Sequence, residues 1–373
     1  MLLRDAAPNL VDARLQRVRE LVLAYGWNST AYQILNPGIE HWLPADGRDC
    51  VVGFVRQRRR WIAAGAPVCE PSRLREETAA FEREAAERAG AKVCYFCAMD
   101  ATRDTVGSDG RHAIIAIGAQ PVWDPRGWDE RVRRPRSSLR AQLNRARNKG
   151  VTIVIPSARP VPYRTELEHC LAEWLGARPL PPMHFLVEPD TLGGVLADRR
   201  LYVATREQGD DRRIVAFLVA SPVPLRNGYL IEQIARANGC PNGTAELLID
   251  AAMRDLAACG ATYVTQGLVA LSTHARDAMN DNPLWFRALT GWARAHGNRF
   301  YNFRGLEAFR TKMDPDSWET IYAIANEARF SPLTLNAVAR AFCRGSPVLA
   351  LSRAMGKAIR QEARWVLKSN GTR

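Results

Sequence analysis

"QIARANGCPNGTAELLIDAAMRDLAACGATYVTQGL", residues 233–268, decides the fold. A strand-like segment enters a turn rich in Asn, Gly and Pro. A helical pattern follows, then Gly260-Ala261 and a second strand pattern. Strand, turn, helix, strand is the building unit of α/β architecture. Turns before helices often cradle phosphates, because free backbone N–H groups attract anions. Here Pro241 deletes one donor, and Glu246 puts a carboxylate in the first helical turn. Gly239 and Gly243 permit tight or left-handed backbone, Asn242-Gly243 is a strong turn dipeptide, and Thr244 is expected to cap the helix. The residues leave two readings open. One is a well-capped structural turn, with Glu246 complementing the helix dipole. The other is a site for a cation, such as the α-amino group of an amino acid. Glu232, on the preceding strand, is expected to flank the same crevice as Glu246, since ligands of α/β folds favour strand C-terminal ends. Either carboxylate can bind an amine or accept its proton.

Outward from this unit the pattern recurs. Residues 10–25 read as an amphipathic helix. "DCVVGFVRQRRRWIAAGAPV" (49–68) reads as two strands with a basic turn, and "PSRLREETAAFEREAAERAG" (71–90) as a helix capped by Ser72 and stopped by Gly90. Strands follow in "AKVCYFCAMD" (91–100) and "HAIIAIGAQPVW" (112–123). The second half repeats the order: a hairpin over 201–223, a strand over 227–235, then the opening unit. Hairpin, helix, Gly-Ala, strand thus occurs twice, about 165 residues apart, as two copies of one domain type rather than a solenoid. This is the order of the GNAT acyltransferase fold.

The 373 residues suggest about two domains. A formal charge of +13 and a pI near 9.7 favour anionic partners: nucleic acid, anionic lipid or phosphorylated substrates. The eight cysteines are scattered, which fits a reduced, cytoplasmic protein. Cys94 and Cys97 are close, but strand alternation predicts opposite faces for them and a buried, non-metal role. The six histidines show no ligand spacing, so no metal is expected. No apolar run of membrane-spanning length occurs.

The stretch "RFYNFRGLEAFRTKMDPDSWETIYAI" (299–324) places Tyr301, Asn302 and Gly305 among core-like aromatics, with Arg310 and Lys312 suited to a phosphate or a developing oxyanion. "RVRRPRSSLRAQLNRARNKG" (131–150) carries eight Lys/Arg and no acid. It reads as a basic helix bridging the halves. Arg133, Arg134, Arg136, Arg140, Arg145, Arg147 and Lys149 form either a solvated face or a track for tRNA or lipid phosphates. In the tail, Val348, Leu351, Met355, Ile359 and Val366 share one helical face. Arg353, Lys357, Arg360, Arg364 and Lys368 share the other, with Trp365 near the boundary. Such a helix suits an anionic membrane, or packs on the domain through its apolar face.

Together, "PNGTAELLIDAAM", "TQGLVALS" and "YNFRGLEAFRTKMDPDSWETIYAI" resemble the C-terminal domain of phosphatidylglycerol lysyltransferases. "LRAQLNRARNKGV" is similar to that family's linker helix, and the resemblance spans roughly residues 25–325. It implies an α/β fold of two tandem GNAT-like lobes, at 1–130 and 151–328, joined by the basic helix 131–150 and followed by the tail 329–373. It implies transfer of an amino acid from aminoacyl-tRNA to a lipid hydroxyl, chiefly of phosphatidylglycerol, with no cofactor, by a cytoplasmic protein peripheral to the inner membrane face. Glu246 and Glu232 would hold the donor's ammonium and Lys312 would stabilise negative charge. Asn242, Gly243, Thr244, Arg236, Tyr301, Asn302, Gly305 and Arg310 would line the substrates. The chain departs from the family pattern at Arg310, usually lysine, at Met313, commonly aromatic, at "GLVAL" (267–271) and at "RPLPPMHFLVEP" (178–189), and the family's multi-span membrane domain is not expected within these 373 residues. Two other functions fit the residues: an acyl-CoA N-acyltransferase, and a non-catalytic RNA- or membrane-binding module.

Overall fold

The computed structural model describes residues 8–134, 138–156, 163–178, 183–187, 189, 191–192, 198–208, 211–296 and 302–343. The first half holds strands β1 (Glu40–Trp42), β2 (Cys50–Gln57), β3 (Arg60–Ala64), β4 (Val68–Cys69), β5 (Lys92–Ala98) and β6 (Ala113–Trp123). The second holds β7 (Val151–Val154), β8 (Arg200–Gln208), β9 (Asp211–Val223), β10 (Gly228–Arg236), β11 (Tyr263–Thr265), β12 (Val269–Ala270) and β13 (Ser317–Ala325). The helices are α1 (Pro8–Tyr25), α2 (Leu74–Ala89), α3 (Asp100–Val106), α4 (Trp128–Arg133), α5 (Ser138–Arg147), α6 (Arg164–Ala177), α7 (Thr244–Ala258), α8 (Arg276–Asn280), α9 (Leu284–His296), α10 (Phe303–Thr311) and α11 (Pro332–Cys343).

One mixed sheet runs through the described chain in the order β1-β2-β3-β5-β13-β6-β11-β10-β9-β8-β7, with β4 added on β2 and β12 on β6. Each half contains a parallel crossover. β3 and β5 pair in parallel across α2, and β10 and β11 pair in parallel across α7. This is the expected strand–helix–strand unit, twice. β13, late in the chain, lies between β5 and β6 of the first half.

Two apolar layers cover the second half of the sheet. On one face α5 and α7 bury Leu143, Leu248, Ala252 and Met253 with Leu218 and Ala220 of β9. On the other, Leu167 and Leu171 of α6 pack with Phe217 and Val219. The side-chain alternation of β9 thus separates the helices of the two faces.

Four local expectations are corrected. Ser72 does not cap α2; Pro71–Arg73 form a 3-10 turn and the helix starts at Leu74, because Pro71 sets the backbone one turn earlier. Gly90 does stop that helix, at φ 53°. Cys97 has φ 64° and sits at a bulge against β13, so Cys94 and Cys97 join the same apolar cluster rather than opposite faces. The strand after α7 breaks into β11 and β12, with Gly267 at φ 68° between them. The basic bridge forms two helices, α4 and α5, and residues 135–137 between them, Arg136 included, lie outside the described residues. α11 packs on the first half through Ala337, Val338 and Ala341, and the tail residues Arg353, Lys357, Arg360, Arg364, Trp365 and Lys368 lie outside the described residues.

Candidate functional site

β10 and β11 pair at Gly228–Leu230 with Tyr263–Thr265, while β10 runs on to Arg236. Beyond Leu230 the pairing with β11 ends, and α7 follows the turn after β10. Its N-cap is Gly243, at φ 94°, and a Cβ there would stand 2.2 Å from the Gln142 carbonyl of α5. The glycine is therefore demanded by packing of the bridge helix on α7 as well as by the turn. Thr244 does not cap, contrary to expectation; its hydroxyl donates to the Pro241 carbonyl at 2.7 Å, because the helix starts at Thr244 itself. Asn242 and Arg236 are exposed at the mouth of this turn.

Lys312 follows α10 directly. Asn302 caps that helix, accepting the Gly305 N–H at 2.8 Å, which explains the Asn-x-x-Gly spacing. On one side of Lys312, Arg310 donates to the Gly267 carbonyl at 2.6 Å. On the other, Met313 is fully buried and its carbonyl accepts from the Trp123 indole at 3.0 Å. So clamped, Lys312 reaches the first turn of α7 and donates to Glu246 Oε1 at 2.8 Å. The Glu246 side chain is 10% exposed and that of Lys312 27%. Two motifs 66 residues apart thus meet as one ion pair. Tyr301 lies outside the described residues.

Glu232 is elsewhere. It is the extra residue of a bulge in β10, and it faces the α6 side with Ser221, whereas α7 covers the opposite face. Both its oxygens accept from Arg199 at 3.0 Å, and the two side chains are 1% and 4% exposed. Arg199 also reaches Asn36 at 2.8 Å. The expectation that Glu232 and Glu246 flank one crevice is therefore corrected: the bulge turns Glu232 into a buried ion pair with Arg199, which in turn bonds Asn36 of the first half.

Beside that pair lies a polar layer that sequence reading missed. Gln120 accepts from Ser29 at 2.9 Å and donates to Tyr263 at 3.0 Å and Glu319 at 2.8 Å. Arg226 binds Glu319 and stacks 3.8 Å from the Tyr263 ring. Burial pushes the Tyr263 hydroxyl pKa well up, so it stays a neutral donor. The available signal was a polar residue in each of two apolar strands, Gln120 in β6 and Glu319 in β13.

On the bridge, Leu139, Leu143 and Ala146 face inward, while Arg140, Arg145 and Lys149 are exposed. Arg147 is tied to the buried Asp250 at 3.2 Å, Arg134 to Asp314, and Arg133 lies 4.0 Å from Asp129. Asp250 also accepts from Trp128 at 2.9 Å, which fixes the bridge to α7. Among the described residues no group of three or more His, Cys, Asp or Glu could hold a metal, and no helix is long and apolar enough to cross a membrane.

The chain is similar in fold to the C-terminal domain of a putative lysylphosphatidylglycerol synthetase from Agrobacterium fabrum, at 19% identity and TM-score 0.71, covering 89% of this chain and 97% of that one. It is equally similar to L-PGS from Bacillus licheniformis, at 19% and 0.71, over 87% and 95%. A conserved protein of unknown function from Bacteroides thetaiotaomicron follows at 10% and 0.55, over 84% and 96%. No curated protein sequence matches the chain. The family described as phosphatidylglycerol lysyltransferase, C-terminal, matches residues 19–325, a span that includes Glu246, Lys312 and the whole bridge, and the chain belongs to that family.

Proposed function

We propose that the chain is an aminoacyltransferase that moves an amino acid from aminoacyl-tRNA to a lipid hydroxyl at an anionic membrane surface. Its two parallel crossovers are read as two GNAT-like lobes, 1–130 and 151–328, around the bridge 131–150. The observation that carries the reading is the Glu246–Lys312 pair, in which the two motif segments of the family span converge at the first turn of α7. An ammonium has three N–H donors, and Glu246 takes one of Lys312's. The others are free to meet charge that develops on a carbonyl or phosphate oxygen, in a half-buried setting where such contacts are strong. Glu246 then acts as a positioning residue that keeps Lys312 aimed.

In the reaction, the acceptor's hydroxyl oxygen attacks the ester carbonyl carbon of the charged tRNA. The tetrahedral oxyanion forms near Lys312. The bond to the tRNA ribose oxygen breaks, and the acceptor's proton ends on that ribose hydroxyl. Catalysis is by positioning and charge stabilisation, without an acyl-enzyme. Exposed Arg133, Arg140, Arg145 and Lys149 contact tRNA phosphates. The acyl-CoA alternative retains one observation in its favour: Lys312 neutralises Glu246, so the pair carries no net charge against a phosphate. Lipid mass spectrometry of cells with and without the protein tests the reading. A lipid heavier by an aminoacyl mass supports it; no such lipid, with tight CoA binding in a thermal-shift titration, overturns it.

A further inference from the structure

We infer that helix α9 is a membrane-docking element, seated on an anionic lipid surface through Leu284, Ala288 and Trp292. The inference deepens the lipid-acceptor reading and rests on it for its purpose. α9 has 13 residues, "LWFRALTGWARAH", and is about 20 Å long. Its buried side is set by Phe286, which joins the first-half core and packs 6.5 Å from Phe330, and by Thr290. That orientation turns the i, i+4, i+8 row of Leu284, Ala288 and Trp292 outward. Leu284 is 78% exposed, Trp292 61% and, at the edge of the row, Leu289 42%. The chain therefore shows water a leucine–tryptophan stripe on the same helix that buries a phenylalanine.

Charge selects the occupant. α9 carries Arg287, exposed, and Arg294, and no acid. Asp277 and Asp281 precede the helix, and the nearest acid on α10, Glu307, is engaged by Ser272 and Thr273. A second copy of a chain with formal charge +13 would bring the same arginines against themselves. An anionic bilayer complements them, accepts Leu and Trp at headgroup depth, and takes an amphipathic helix flat. Docking by α9 holds the first-half core that Phe286 joins against the lipid surface.

The test is binding, read separately from turnover. The full chain is sedimented with phosphatidylglycerol vesicles and with phosphatidylcholine vesicles. Wild type is expected to partition onto the anionic vesicles alone. Leu284→Ser with Trp292→Ser lowers that partition on the order of 100-fold, and Arg287→Ala about fivefold. Fluorescence quenching by brominated phosphatidylglycerol is expected in wild type and is reduced in Trp292→Phe, a variant that keeps the fold. Circular dichroism melting checks that each variant is folded. Unchanged sedimentation of the folded double variant overturns the assignment of α9 while leaving a lipid acceptor standing. So does a wild type that binds no vesicle yet aminoacylates lipid in detergent. Conversion of a dimer to a monomer by the double variant, without vesicle binding, makes the stripe a contact between copies. Vesicle binding through α9 with no aminoacylated lipid keeps α9 and removes the transferase reading.

Discussion

Lys312 Nζ stands 2.8 Å from Glu246 Oε1, so the cation expected from a substrate at the start of α7 is supplied by the chain itself. Lys312→Ala is expected to lower turnover on the order of 100-fold, the size of one lost charge-stabilising group. Glu246→Gln should lower it less, and the double variant no more than Lys312→Ala alone, because the two act as one unit. Multiplicative losses in steady-state kinetics would show that Glu246 has a separate role at the donor.

Glu232 and Arg199 are expected to be structural. Breaking a buried pair from one side costs about 3–5 kcal/mol, since it strands the other charge. Glu232→Gln should show that loss in urea unfolding, and Glu232→Leu with Arg199→Met should recover most of it. A Glu232→Gln protein of native stability but without turnover would return Glu232 to the catalytic machinery.

Gly243→Ala should be destabilising by about 2–4 kcal/mol, from the left-handed backbone and the collision with α5 together. The same change at Gly239, where nothing lies within 4 Å of the added carbon, should cost less. Equal melting temperatures for the two variants would refute the close packing of the bridge on α7.

His112 provides a pH signature. Burial lowers its pKa, but Glu82 at 2.8 Å and Asp109 at 3.0 Å outweigh that and raise it above 6.5; in return His112 pulls Asp109 down to about 2. A raised histidine stabilises fully below its unfolded pKa, and the contribution fades as pH rises through the folded one. The stability gap between wild type and His112→Gln should be wide near about pH 5.5 and narrow near about pH 8.5. A gap that widens with pH would contradict the two-carboxylate arrangement.

Much of this was readable in the chain because it is local. The crossover β10–α7–β11 follows from hydrophobic period, an Asn-Gly turn and Gly260, and the α2 stop from Gly90. The meeting of Glu246 with Lys312 was half readable: both were singled out, but for different partners, since 66 residues of separation hide a contact. What failed was register. One extra residue at Glu232 and another at Cys97 each move a side chain to a face that alternation does not foresee. The Gln120 layer was missed because a lone polar residue in an apolar strand looks like noise until Ser29, Tyr263 and Glu319 surround it. Asn302 and Gly305, expected at substrates, form a helix cap, a role with the same sequence signature.

The place of β13 bears on synthesis. Its residues 317–325 fill the slot between β5 and β6, bonding to both. Until residue 325 has left the ribosome, those two strands have no neighbour on their facing edges. Bare edges invite pairing with other chains. The N-terminal half therefore cannot close as it emerges, and waits on the last strand of the second half. A nascent chain halted before Ser317 should be protease-sensitive throughout its β5–β6 region, and one halted well beyond Ala325 protected.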